Sequence, residues 1–410
     1  MSKALWFLFF TIFIDLLGIG ILIPVIPLLL ADPNSSYYLL SPGTSTDYGY
    51  ILLGILVATY PLSLFFVAPV LGQFSDKYGR KKVLIVSLLG TVLSYVVFAY
   101  AIYIRNIPLL FFSRIIGGIT GGNISAAQAA IADITKPEDR AKNFGLIGAA
   151  FGLGFIIGPV LGGKLSDPGI VSWFSAPTPF LFSAILAFIN MISVSFFFKE
   201  TNRFIDLAKK IDFKKSITNI ARAREFSDER IIFLSSFLMS AGFTFFTTFF
   251  SVYLIIKFDF DQSQIGSFFG YVGLWIVITQ ALITRFVAKK WKEENVLKVV
   301  YFTSAFAMFL YFFPQKASAL LFIVPLFAIS NGLANANAVG LLSRYTKPEL
   351  QGEILGINAS VLALGQSIPP ILTGFIAALL SPSAPLVISG LIIASAGIVF
   401  TFFYKRREES

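Results

Sequence analysis

The sequence predicts an all-α integral membrane protein of twelve transmembrane helices in two pseudo-symmetric six-helix bundles. Three observations predict it. Apolar stretches of 18 to 27 residues recur along the whole chain, and each is long enough to cross roughly 30 Å of hydrocarbon as a helix. Basic residues gather in alternate loops, as they do on the cytoplasmic side of membrane proteins. The second half also repeats the first when the chain is slid 211 positions along itself.

The predicted spans are 4–30, 48–71, 83–104, 107–132, 142–164, 178–198, 231–256, 264–288, 296–313, 319–342, 353–379 and 384–404. They are continuously apolar, whereas barrel strands would alternate in runs of about ten residues. Span one follows Lys3 and, at 27 residues, is too long for a signal-peptide core. Of the 410 residues 56% are hydrophobic and 13% charged, and the mean hydropathy is +0.80, outside the range of soluble domains. There is no cysteine and no histidine, which excludes disulfides, thiol nucleophiles and imidazole relays.

The net charge of +10 raises the question of a nucleic-acid partner. Its distribution answers it. With the N-terminus inside, 27 of the 32 basic residues fall in cytoplasmic segments; Arg105, Lys164, Lys257 and Lys316 fall outside, and Arg114 lies within a span. The expectation is therefore an inner-membrane protein with both termini cytoplasmic. Its expected partners are a small-molecule solute and the bilayer, with no nucleic acid, metal or cofactor, and a monomeric state.

The hydrophilic stretch 199–230 divides the chain into an N-terminal bundle (1–198), a linker and a C-terminal bundle (231–410). Within the linker Phe204, Leu207, Ala208, Ile211, Ile217 and Ile220 recur at helical spacing among Lys209, Lys210, Lys214 and Lys215. Two readings stay open: an amphipathic helix on the cytoplasmic leaflet, or a flexible basic linker. The internal repeat sets Thr135-Lys136-Pro137-Glu138 on Thr346-Lys347-Pro348-Glu349, and Gly145, Gly154, Pro159 and Gly163 on Gly356, Gly365, Pro370 and Gly374. Parallel repeats of this kind place a solute site between the halves near the midplane.

Between spans two and three runs Gly72-Gln73-Phe74-Ser75-Asp76-Lys77-Tyr78-Gly79-Arg80-Lys81-Lys82. Gly72 suits close helix contact, Gly79 a tight turn, and Asp76 a pairing with Arg80 or with the positive N-terminus of a neighbouring helix. The run resembles the G-x-x-x-D-[RK]-x-G-R-[RK]-[RK] loop of the major facilitator superfamily at every defining position. That resemblance implies a cytoplasmic latch, here Gly72, Asp76, Lys77, Gly79, Arg80 and Lys81, closing against helix eleven near Glu353. The second-half counterpart, Lys289-Lys290-Trp291-Lys292-Glu293, lacks the glycines and the aspartate.

In span five Gly154, Gly158 and Gly162 stand four apart, with Pro159 and Gly163 beside them. They share one helical face, which lets another backbone approach. The segment resembles the G-x-x-x-G-P-x-x-G-G motif of the twelve-helix drug/proton antiporters. Asp15-Leu16-Leu17-Gly18-Ile19-Gly20 and Ser113-Arg114-Ile115-Ile116-Gly117-Gly118 resemble the tetracycline/proton branch of that group. The resemblance implies a proton-coupled exporter of amphipathic, drug-like or tetracycline-like molecules working by alternating access. Span nine carries no clear acidic residue where tetracycline exporters use one.

Only Asp15 and Arg114 are charged well inside the spans, at a cost of about 2.5–3.5 kcal/mol each at a helix centre. Burial favours the neutral acid and a nearby guanidinium favours the carboxylate. Motion that alters their separation therefore alters proton affinity, which makes the two residues the expected proton-coupling pair. A purely structural ion pair is the other reading.

Neutral polar residues mark the expected solute cavity at Gln280, Asn331, Asn335 and Gln366, while Phe245, Phe246 and Phe249 offer an aromatic wall. Export of a metabolite, siderophore or lipid-like compound and proton-coupled nutrient uptake are the alternatives within the class. A membrane enzyme or sensor on the same fold is the alternative outside it, and it lacks clustered catalytic residues or a soluble output domain.

Overall fold

The computed structural model describes residues 3–135, 140–202, 205, 207, 210–226, 229–346 and 350–404. Phe204, Ala208 and Lys209 of the linker, the Lys136–Glu138 and Lys347–Glu349 repeats and the basic tail 405–407 lie outside them.

The described chain is built of helices. In the first half α1 (Lys3–Leu30), α2 (Thr46–Tyr78) and α3 (Arg80–Tyr103) are followed by α4 (Ile107–Thr120) and α5 (Asn123–Ile134), which together make one rod broken at Gly121 and Gly122. Next come α6 (Arg140–Leu165) and α7 (Thr178–Phe197). A short helix, α8 (Lys215–Arg222), stands between the halves.

The second half has α9 (Arg230–Phe258), then α10 (Gln262–Ile278) and α11 (Thr284–Lys290) joined by a π-turn at Thr279–Ile283, then α12 (Glu293–Leu310), α13 (Leu320–Tyr345), α14 (Gln351–Leu379) and α15 (Ala384–Phe403). Among the described residues eleven spans are long and apolar enough to cross a membrane. The remaining rod, α12, is 18 residues long and carries Glu293, Glu294 and Lys298 in its first turns, so its apolar part is shorter than its neighbours'. It packs between α13 and α15 in the second bundle.

Local chemistry sets the boundaries. The side chain of Asn106 accepts from the Leu109 N–H to start α4, and Asp261 with Gln264 forms a reciprocal cap on α10, satisfying amides that a helix start leaves open. Gly79 adopts φ +99° between α2 and α3, a conformation that favours glycine. The N-terminus of α3 is then covered by Glu200, whose carboxylate accepts from the backbone N–H groups of Arg80 (2.9 Å) and Lys81 (3.1 Å). A negative group there complements the positive end of the helix.

The two ends of the bundle differ. We call the end carrying Gly79, Arg80 and the start of α14 the basic end. At the opposite end the halves meet backbone to backbone. A methyl on Gly54 of α2 would strike the Pro370 carbonyl and Gly374 of α14, and one on Gly163 of α6 would strike Gln262 and Ser263 of α10. Tyr50 packs edge-on against Phe249 with centroids 5.6 Å apart, inside a buried cluster that draws on both halves. That end is sealed.

Candidate functional site

Below the seal, between the halves, lies a cavity of about 390 Å³, a size typical of small-molecule sites. Its two walls have different chemistry. The first half supplies mainly apolar side chains, among them Leu16, Ile19, Leu53, Leu56, Phe151 and Phe155. The second half supplies neutral hydrogen-bonding groups, among them Gln280, Asn331, Asn335, Asn358 and Gln366. Arg114 is the one charged residue on the wall among the described residues.

The four amides selected from the sequence thus come together, from α13, α14 and the π-turn. Gln280 sits in that turn, where the wider helical winding changes the direction of successive side chains, a device frequent at functional sites. Asn190 and Asn337 behave instead as internal glue: Asn190 donates to Thr11 Oγ1 at 2.9 Å and Asn337 to the Leu333 carbonyl at 2.7 Å.

The expected aromatic wall is corrected. Phe246 is enclosed with Phe250, Phe327 and Tyr311 at centroid distances of 4.3, 4.9 and 5.3 Å, Phe249 belongs to the seal, and Phe245 is buried. They sit on the faces of α9 turned into its own bundle, and the rings beside the cavity are Tyr60, Phe151, Phe155, Phe243 and Tyr301.

Asp15 is buried, 3% exposed, and does not line the large cavity. It faces a separate chamber of about 10 Å³ with Tyr60, Thr91, Ser94, Tyr95, Arg114 and Gly117, about the space of one water. Arg114 and Tyr60 line both spaces. The guanidinium lies between the rings of Tyr60 and Phe98, 5.2 and 5.3 Å from their centroids, a favourable cation–π setting that fixes its position. Asp15 Oδ2 and Arg114 Nε meet no hydrogen-bond partner among the described residues. Nothing in a chain with 15 tyrosines marks Tyr60 and Tyr95 before the helices bring them together.

The glycine face of α6 packs on α1. A methyl on Gly154 would meet Leu16 and Leu17, one on Gly158 the Leu17 carbonyl at 2.7 Å, and one on Gly162 the Ile21 carbonyl at 2.6 Å. The ring of Pro159 lies against Gly20 of α1, while its carbonyl and Gly163 face α10: a methyl on Gly266 would strike that carbonyl. One helix thus bears against both halves at the cavity's edge.

At the basic end Arg80 is the centre of a cluster. Its guanidinium pairs with Asp76 at 2.5 Å and Asp133 at 3.0 Å and donates to Ser75 Oγ at 3.1 Å. Asn202 donates to the Asp76 carbonyl at 2.9 Å. Lys77 and Lys81 flank the cluster, half-buried. Gly72 departs from expectation: a methyl there would meet only Ser125 at an ordinary 3.9 Å, because α5 does not come within backbone contact. Glu353, the expected landing point on α14, pairs with Arg222 of α8.

A family model described as Major Facilitator Superfamily matches residues 8–368. The chain belongs to the major facilitator superfamily. Relatives in this superfamily include the tetracycline resistance protein, class H, of Pasteurella multocida, 30% identical over 378 residues, with 92% of this chain and 89% of that protein covered. Multidrug resistance protein 2 of Bacillus subtilis (strain 168) is 27% identical, with 97% and 94% covered. Solved structures with the same fold include the D-xylose–proton symporter (TM-score 0.78, 15% identity, 99% and 98% covered) and the human organic anion transporter MFSD10 (TM-score 0.73, 23% identity, 98% and 100% covered). Fold and relatives alike are those of membrane transporters of small molecules, not enzymes.

Proposed function

We propose that this facilitator exports amphipathic, drug-like or tetracycline-like small molecules across the cell membrane in exchange for protons, with its basic end and both termini in the cytoplasm. The observation that carries this reading is that Arg114 lines both the solute cavity and the chamber holding Asp15. A charge change on Asp15 is therefore felt in the cavity through one shared guanidinium. The relatives named for tetracycline and multidrug resistance support the substrate class.

The sign of coupling follows from counting charge. With Asp15 protonated the pair carries +1 and disfavours a cation in the cavity; with Asp15 ionised the pair is neutral and admits one. A proton and a cationic or zwitterionic amphiphile therefore compete, and linkage makes the competition reciprocal. Competition of that kind is what exchange requires. A purely anionic solute would reverse the sign and travel with the proton. Each proton moved down 100 mV supplies about 2.3 kcal/mol, and each pH unit adds about 1.4 kcal/mol.

The apolar wall of the first half and the amide wall of the second suit a molecule with one greasy face and one hydrogen-bonding face. In proteoliposomes, a lipophilic cation or a tetracycline added against a proton gradient is expected to drive proton movement in the opposite direction. Asp15→Asn, fixed in the +1 state, should abolish that movement and weaken binding of the cation at every pH. Proton flux that persists in Asp15→Asn, or that runs in the same direction as the solute, sinks the reading.

A further inference from the structure

Where α2 and α14 part at the basic end, α8 lies between them. Ser216 Oγ donates to the Phe65 carbonyl of α2 at 2.5 Å, and Asn219 Nδ2 donates to Ser360 Oγ of α14 at 3.1 Å. Both side chains are buried, 1% and 7% exposed. One turn on, Arg222 pairs with Glu353 of α14. Upstream, Gln73 of α2 holds the backbone of Asp212 from both sides, donating to its carbonyl at 3.0 Å and accepting from its N–H at 2.8 Å. Ile220 packs on the core of the second half, while Ile217 is exposed. The residues of this helix that the protein buries most deeply are the polar Ser216 and Asn219.

The opposite end shows what closure looks like. There α2 and α14 touch at Gly54 and Gly374 with no room for a methyl. Packed helices sit about 8–10 Å apart, and a helix with its side chains is itself about 10–12 Å across. A third helix cannot stay between α2 and α14 if their basic ends close in the same manner. The contacts also fall beside the cavity: Leu64 precedes Phe65, and Asn358 and Leu362 flank Ser360.

We propose that α8 is a removable wedge that holds this arrangement, with Ser216, Asn219 and Arg222 as positioning residues that must release α2 and α14 in every transport cycle. The proposal rests on the alternating-access reading above, though not on the identity of the solute or on proton coupling. Wedge strength then sets the balance between the two arrangements. Weakening it favours closure at the basic end, and fixing it stops turnover.

The absence of cysteine makes the test direct. Spin labels on Tyr78→Cys of α2 and Leu355→Cys of α14, both exposed, report the separation of the basic ends. Asn219→Ala should raise the population with short separation about fivefold, the effect of one net hydrogen bond, and Ser216→Ala with Arg222→Ala should raise it further. An unchanged distance distribution in the triple variant overturns the wedge. As a second measurement, the double variant Asn219→Cys and Ser360→Cys, oxidised to a cross-link, should stop solute exchange and recover on reduction, with each single variant active. Full exchange with the cross-link closed overturns the proposal. Because the distance measurement needs no solute, failure of the wedge is distinguishable from failure of the export reading.

Discussion

The two halves share a plan but divide the labour, and the ion pairs at their basic ends show how. In the first half a cation on the loop between the second and third rods, Arg80, pairs with an anion at the end of the fourth, Asp133. In the second half the signs are exchanged: Glu293, at the equivalent place, pairs with Arg344 at 2.8 Å, and Arg344 is the residue 211 positions after Asp133. The contact was kept while its chemistry was inverted. A repeat is thus a constraint on geometry, and either charge order meets it because attraction is symmetric. Inside the membrane the division is sharper. The first half holds the two charged residues around the small chamber, Asp15 and Arg114, and among the described residues the second half offers the cavity only neutral groups.

That division is broken most severely at Asp15. Moving the acid function out of the first half, as in Asp15→Asn, should reduce proton-coupled flux to background and remove its dependence on the pH gradient, read by a pH-sensitive dye in proteoliposomes. A comparable pH response in the variant would mean that the second half carries protons too.

The glycines sharpen the comparison next. A methyl on Gly158 of α6 would meet the Leu17 carbonyl at 2.7 Å, whereas one on Gly356 of α14 would have nothing within 4 Å. Gly158→Ala should lower stability by about 1–3 kcal/mol through overpacking, and Gly356→Ala should stay within about 0.5 kcal/mol. Thermal unfolding in detergent checks both, and equal losses would show that the backbone around Gly356 is as closely approached as that around Gly158.

The inverted ion pairs make the third test. Arg80, with a side chain only 9% exposed and two carboxylate partners, should cost about 1.5–3 kcal/mol as Arg80→Gln. Glu293→Gln breaks a pair whose arginine is 51% exposed and should cost less than about 1 kcal/mol. Exchanging the second pair, as Glu293→Arg with Arg344→Glu, should restore the loss. Failure of the exchange would mean that sign, and not only contact, matters at that end.

The smallest effects belong to the amide wall. Gln280→Leu or Asn335→Leu should change the affinity for one solute about two- to tenfold, the range of a single net hydrogen bond, and leave the proton-to-solute ratio unchanged. An altered ratio would tie the second half to coupling.

Much of this was legible in the sequence because membrane proteins are written in long, redundant signals. An apolar run of some 20 residues has few alternatives to a helix in lipid, so the order of the rods could be read directly. The amides Gln280, Asn331, Asn335 and Gln366 were legible for the same reason, since a polar group in an apolar run must find a partner or a cavity. The Phe245, Phe246 and Phe249 wall was not. A ring satisfies lipid, core and solute alike, so its identity carries no information about which it faces.

By itself the sequence determined the helical class, the two-part repeat and the identity of the buried acid and base, because cost in hydrocarbon is a property of the residue and not of its neighbours. Only the tertiary structure decided that Asp15 stands in a chamber apart from the solute cavity, that Arg114 and Tyr60 form the partition, and that α8 fills the gap between α2 and α14. Those are facts about which faces of separate helices meet. Residues such as Tyr60, Ser216 and Asn219, far apart along the chain from what they touch, acquire their roles only when packing brings those faces within hydrogen-bonding reach.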